Sequence, residues 1–200
     1  IQAILFDIDG TLSDTDDQMV NRIANALPFM LIRNQTRRKK MARWLVMAME
    51  SPGNFIYNLA DRFNLDSLFI RLLDWRTRQR SRKLKPFWII PGIENLLKSL
   101  ALKFPLAIVS ARDENGTRGF LRQFNLEPYF MVVVTSQSTP HTKPFPDPLW
   151  HAAKLLAIAP ENCLMVGDTT VDIRAARLAG MQSVGVLCGF GTERELLLAG

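Results

Sequence analysis

Apolar residues run unbroken from Ala3 to Phe6 and are followed by Asp7, Asp9 and Gly10, the pattern of a short strand buried on both faces and ending in two carboxylates. Period two puts Asp7 and Asp9 on the same side. The pattern then changes. From Asp14 to about Lys85 no convincing strand occurs, and apolar residues recur at helical spacing: Val20, Ile23, Ala24 and Leu27, then Met41, Trp44, Leu45 and Ala48, then Leu68, Phe69, Leu72 and Leu73. Pro28, Ser51-Pro52-Gly53 and Asn64 punctuate this stretch into roughly four helices, enough for a small bundle.

Beyond Pro86-Phe87 the pattern alternates. A helix is predicted from Ile93 to Ala101 with Leu96, Leu97 and Leu100 on one face, then a strand at Leu106–Ser110 and a helix at Thr117–Phe124. A strand at Met131–Thr135 follows, then a Pro-rich loop at Ser138–Pro148 carrying Lys143 and a helix at Leu149–Leu156. The remaining elements are a strand at Leu164–Asp168, a helix at Asp172–Ala179 and a strand at Ser183–Leu187. Strands alternating with helices at this spacing imply an α/β fold, a Rossmann-like doubly wound parallel sheet. The expected domains are a core of 1–13 with 87–200 and an all-helical subdomain, 14–86, inserted after the first strand.

Composition changes this picture in one place. The net charge of +6 belongs to residues 14–86, which hold 15 Lys and Arg against 7 Asp and Glu, whereas the rest of the chain is slightly acidic. Runs such as Arg37-Arg38-Lys39-Lys40 read first as solvated helix faces, with a polyanion-binding or substrate-steering role as the competing reading. No apolar run approaches the roughly 18–20 residues of a membrane span, and the N-terminus lacks a signal-peptide pattern, so a cytoplasmic protein with no membrane partner is expected. Cys163 and Cys188 match no metal or redox spacing and read as reduced core thiols.

Polar signals recur at or just beyond the strand ends, in the order Asp7-x-Asp9-Gly10-Thr11, Ser110, Lys143-Pro144 and Gly167-Asp168-Thr169-x-x-Asp172. In an open α/β sheet the ligand crevice lies at such ends. Taken singly, each signal has a plainer reading: a solvated acidic strand end, a Ser capping the next helix, a solvated loop lysine, or an Asp favouring a helix N-terminus. Together, a hydroxyl, an ammonium and four carboxylates suit a phosphate held beside a divalent cation, and an oxygen-rich set without a His or Cys cluster suits Mg²⁺ rather than Zn²⁺.

These motifs, in this order and spacing, resemble the haloacid dehalogenase superfamily. The inserted segment resembles the helical cap of the subgroup that includes phosphoglycolate phosphatases and β-phosphoglucomutases. Pro91-Gly92, Pro144-x-Pro146-Asp147-Pro148, Ala179-Gly180-Met181 and Gly189-Phe190-Gly191 fit as well.

The resemblance implies Asp7 as nucleophile forming an aspartyl-phosphate, and Asp9 as general acid and then general base. It implies Mg²⁺ held by Asp7, the Asp9 backbone carbonyl and Asp168, with Asp172 nearby. Ser110, the Ala111 amide and Lys143 would hold phosphoryl oxygens, and Thr11 belongs with this set, fixing the loop or Asp9. The implied activity is hydrolysis of a small phosphorylated metabolite, with phosphoglycolate as the specific candidate. Asp9 argues against dehalogenation, since a departing halide needs no proton.

A phosphomutase or a phosphonatase-like enzyme on the same core stays open, as does a nucleic-acid or other polyanion binder using the basic cap. Monomer and homodimer are equally compatible with the sequence. The family usually continues beyond Leu196–Gly200 into one more short strand and helix, so either terminal residues are missing from this chain, which also starts without Met, or this member is short.

Overall fold

A computed structural model describes residues 1–14 and 87–200. The bundle expected within 14–86 lies, beyond Asp14, outside the described residues. The chain divides into two compact units, Ile1–Asp16 with Phe87–Gly200 and Asp17–Pro86, and the described residues belong to the first.

The described elements run β1 (Ala3–Phe6), α1 (Ile93–Ala101), β2 (Leu106–Val109), α2 (Glu114–Gln123), β3 (Val132–Val134), α3 (Asp147–Leu156), β4 (Cys163–Gly167), α4 (Thr170–Ala179), β5 (Gln182–Gly185) and α5 (Glu193–Ala199), with 3₁₀ turns at Glu127–Tyr129 and Pro160–Asn162. The strands form one five-stranded sheet in the order β3-β2-β1-β4-β5. All four pairings are parallel. The doubly wound α/β sheet predicted from the alternation of strands and helices is therefore the fold.

Two cores explain why the inner strands β1 and β2 read as continuous apolar runs. Ala3 and Leu5 of β1 join Ala107, Val109, Met165 and residues of α3 and α4 on one face. Ile4 and Phe6 join Leu106, Ile108 and residues of α1 and α2 on the other. Successive side chains of one strand enter opposite layers, so no position of β1 is left for a polar residue until the strand ends.

The register aligns those ends. Phe6 pairs with both Ile108 and Val166, so Asp7, Ser110 and Asp168 leave the sheet within about one residue of a common level. Where the order reverses, β1 lies between β2 and β4, placing its carboxyl end at the topological switch point.

Past β1 the chain makes a tight turn in which the amides of Thr11, Leu12 and Ser13 all donate to the Ile8 carbonyl, with Gly10 at φ 76°. The outgoing and returning segments then bond to each other. Asp14 N–H and the Ser13 hydroxyl donate to the Trp88 carbonyl, and Ile90 N–H donates to the Leu12 carbonyl.

Several details depart from the sequence reading. Helix α2 begins at Glu114, earlier than predicted, because Asp113 caps it by accepting from Gly116 N–H at 2.8 Å. Helix α5 was not foreseen; Thr192 and Glu195 form a capping box that starts it. Leu96 is exposed, whereas Ile93 and Leu97 are the buried residues of α1. Cys163 is buried as expected, but Cys188 is exposed beyond the last strand, its thiol donating to the Gly10 carbonyl at 3.2 Å. No described helix is long and apolar enough to cross a membrane.

The burial of α1 predicts different costs for adjacent leucines. Leu97→Ala should lower the free energy of unfolding by about 2–5 kcal/mol, and Leu96→Ala should change it by no more than about 0.5 kcal/mol. Urea unfolding of both variants checks this, and equal losses would mean that the helix presents a different face to the sheet.

Candidate active site

The first carboxylate beyond β1 is drawn into the interior by a lysine from a distant loop. Lys143 Nζ donates to Asp7 Oδ1 at 2.7 Å and to Asp172 Oδ1 at 2.6 Å, and all three side chains are buried. Asp172 uses its other oxygen to accept from the Thr169 amide at 3.1 Å and the Thr169 hydroxyl at 2.6 Å. It therefore starts α4 and pairs with the lysine at once, so its helix-terminus role and its place in the site coexist.

Asp168 follows β4 directly. Its Oδ1 accepts from the Thr11 hydroxyl at 3.3 Å, and its Oδ2 accepts from Phe190 N–H at 2.8 Å. Thr11, expected to fix the loop or Asp9, thus bonds to Asp168. The glycines around these acids have a steric reason. A Cβ on Gly167 would lie 2.3 Å from the Asp172 Cβ, and one on Gly189 would lie 2.0 Å from Asp168 Oδ2. The carboxylates sit directly against backbone that only glycine leaves open.

Asp7, Asp168 and Asp172 can each offer an oxygen within 4.8 Å of the others, the arrangement of a cation-binding cluster. Burial raises the Asp7 carboxyl well above its ordinary range, opposed by Lys143 and reinforced by the neighbouring acids. Burial likewise raises Asp168 to about 7, helped by Asp172 and opposed by the Phe190 amide. For Lys143, burial disfavours the ammonium, but Asp172 and Asp7 outweigh it and hold the pKa above the usual lysine range. Three ionised acids facing one ammonium leave two negative charges in a dry space. A hard divalent cation bound by oxygen would neutralise them.

The remaining predicted residues lie around this cluster. Ser110 is buried, and its hydroxyl oxygen accepts from Arg112 N–H at 3.1 Å. Ala111, next in the chain, is exposed. Asp9 stands outside the carboxylate cluster and pairs with Arg112, whose Nε donates to Asp9 Oδ2 at 2.6 Å and whose Nη2 donates to Oδ1. The sequence reading missed Arg112; its position two residues after Ser110, in the turn leaving a buried strand, was the available signal.

Comparison with known proteins agrees with this geometry. Residues 4–186 match the family described as haloacid dehalogenase-like hydrolase. The chain is 33% identical over 201 residues to a phosphoglycolate phosphatase of Neisseria gonorrhoeae, covering 96% of this chain and 82% of that one. It is 27% identical over 186 residues to the pyrophosphatase PpaX of Anoxybacillus flavithermus, covering 93% and 83%. The crystal structure of a hydrolase from Pseudomonas syringae superposes with a TM-score of 0.70 at 25% identity, covering 100% of this chain and 91% of that one. A match over most of the length, on a parallel sheet whose switch point carries three acids and a lysine, makes the chain a member of the haloacid dehalogenase-like hydrolases.

Proposed function

We propose that the chain is a Mg²⁺-dependent phosphomonoester hydrolase that works through an aspartyl-phosphate on Asp7, with a small phosphorylated metabolite as substrate and phosphoglycolate as the first candidate. The observation that carries this reading is the buried Lys143 bridge between Asp7 and Asp172, with Asp168 completing a cluster of three carboxylates. The similarity to a phosphoglycolate phosphatase supports the substrate, and the similarity to a pyrophosphatase adds inorganic pyrophosphate to the compounds worth testing.

In this reading an Asp7 carboxylate oxygen attacks phosphorus while the bond from phosphorus to the ester oxygen breaks. Asp9 protonates the leaving oxygen, then takes a proton from the water that attacks the same phosphorus and frees Asp7. Lys143, Ser110 and the Ala111 amide hold non-bridging oxygens, on which charge gathers. Thr11 orients Asp168 through its hydroxyl. Asp7, the Asp9 backbone carbonyl and Asp168 would hold Mg²⁺, with Asp172 alongside. When bound there, the ion would supply charge neutralisation and Lewis acidity toward the phosphoryl group. A phosphonatase-like reaction would need a lysine from the inserted segment, which lies outside the described residues.

The test is a panel of phosphoglycolate, sugar phosphates, nucleotides and pyrophosphate assayed with and without Mg²⁺. Phosphate release should require the cation and fall by about a thousand-fold or more in Asp7→Asn. Turnover that persists in that variant would overturn the mechanism.

The cation also has a consequence for stability. Asp168 sits at about 7 in the fold against an ordinary 3.8. Between those values the folded protein retains a proton that the unfolded chain has released, so stability falls as pH rises through that window. Asp168→Asn carries no such charge. In EDTA it should melt above the parent by roughly 3 °C or more at pH 8, with a smaller advantage at pH 5. Mg²⁺ should raise the parent's Tm at pH 8 more than the variant's. Thermal melts check both, and an advantage independent of pH would show that Asp168 is not carrying a costly buried charge.

A further inference from the structure

Arg112 is the residue that the mechanism above leaves unused, and its surroundings are built rather than incidental. Its Nε and Nη2 engage the two oxygens of the Asp9 carboxylate separately, a fork-to-fork pairing that fixes orientation as well as position. The pair is mostly withdrawn from solvent, with side-chain exposures of 15% for Arg112 and 24% for Asp9. The guanidinium carbon lies 4.9 Å from the centre of the Phe87 ring and 5.9 Å from that of Phe120, so the fork rests on aromatic surface.

Those rings are themselves held. Phe87 meets Phe120 edge-on at 5.9 Å. Gln123 clamps the Phe87 backbone from both sides, accepting from its N–H at 3.3 Å and donating to its carbonyl at 2.9 Å. The Arg112 backbone is fixed too: its N–H donates to Ser110 Oγ and its carbonyl accepts from Ser136 N–H at 2.9 Å.

We infer that Arg112 is a positioning residue for Asp9, holding its carboxylate where it serves the leaving oxygen and then the attacking water, and that Phe87 keeps Arg112 in place. The inference rests on the acid/base role proposed for Asp9. No bond is made or broken at Arg112; its contribution is to restrict the carboxylate to one orientation so that both proton transfers start from a set geometry. A Lys at this position could reach Asp9 but would offer a point charge without the fork.

The test separates positioning from support of the turn. Arg112→Ala, Arg112→Lys and Phe87→Leu are compared with the parent, with thermal melts to confirm folding. For an alkyl phosphate, Arg112→Ala should lower kcat by about 10–100-fold and change KM by no more than about two- to three-fold. Formation of the phosphoenzyme from an aryl phosphate, whose leaving group departs without a proton, should fall much less in a single turnover. Arg112→Lys should recover part of the loss, and Phe87→Leu should show a weaker form of the same selectivity.

Equal losses for alkyl and aryl leaving groups would overturn the inference in favour of a structural role. A raised KM with unchanged kcat would overturn it in favour of substrate binding. Absence of Mg²⁺-dependent turnover in the parent chain would instead overturn the hydrolase reading, and the role of Arg112 with it.

Discussion

The ammonium of Lys143, buried between Asp7 and Asp172, is the interaction on which the site depends. It joins the end of β1, a loop before α3 and the first turn of α4, three places that share no local sequence. Charges taken out of water are costly unless paired and hydrogen-bonded, and a lysine facing two carboxylates meets that condition while leaving the acids in excess. The excess of carboxylates suits the cluster to a divalent cation. Asp172 resists displacement because its second oxygen is held by Thr169. Asp168 resists it because both its oxygens are bonded, to Thr11 and to the Phe190 amide.

The fold supplies this arrangement through register. With Phe6 paired to Ile108 on one side and Val166 on the other, the polar residues that follow the buried strands emerge together at the switch point. A slip of one residue in either pairing would also exchange the two apolar layers, sending Leu5 where Ile4 belongs, so core packing and site geometry are specified by the same constraint. The glycines finish the fit. Gly167 and Gly189 remove the Cβ atoms that would otherwise strike Asp172 and Asp168. Carboxylates can then pack against bare backbone, with the desolvation that raises the Asp7 and Asp168 pKa values.

How much of this was readable from the sequence varied with the physics involved. Asp7 and Asp168 stand out in the sequence only in combination, because no packing role needs several acids at the ends of buried strands. The sheet was legible because β1 and β2 are buried on both faces and β3 and β4 are apolar runs, whereas the edge strand β5 is mostly exposed. What resisted reading depended on docking. Leu96, Leu97 and Leu100 all suit an apolar helix face, and only the packed sheet selects Ile93 and Leu97 as the buried residues while Leu96 turns outward. Cys188 has apolar neighbours in sequence but lies on a segment beyond the sheet, where it meets solvent. Arg112 is one of 25 Lys and Arg residues, and no periodicity marks it out. Its meaning comes from Asp9, more than a hundred positions away.

Two aspartates separated by one residue on the same strand end are therefore placed in different chemical settings. Asp7 is buried, shares a lysine with Asp172 and faces other acids across a space suited to a cation. Asp9 is partly exposed, lies outside that cluster and has an arginine of its own. A nucleophile must be kept from its competitors and brought against phosphorus, whereas a proton carrier must reach both the leaving group and water. The tight turn at Ile8–Ser13 separates the two settings within a few residues, because Ile8 remains in the apolar layer between them. In the proposed mechanism the division of labour between the carboxylates would follow from which cationic side chain each one meets, Lys143 from the loop before α3 for Asp7 and Arg112 from the turn before α2 for Asp9.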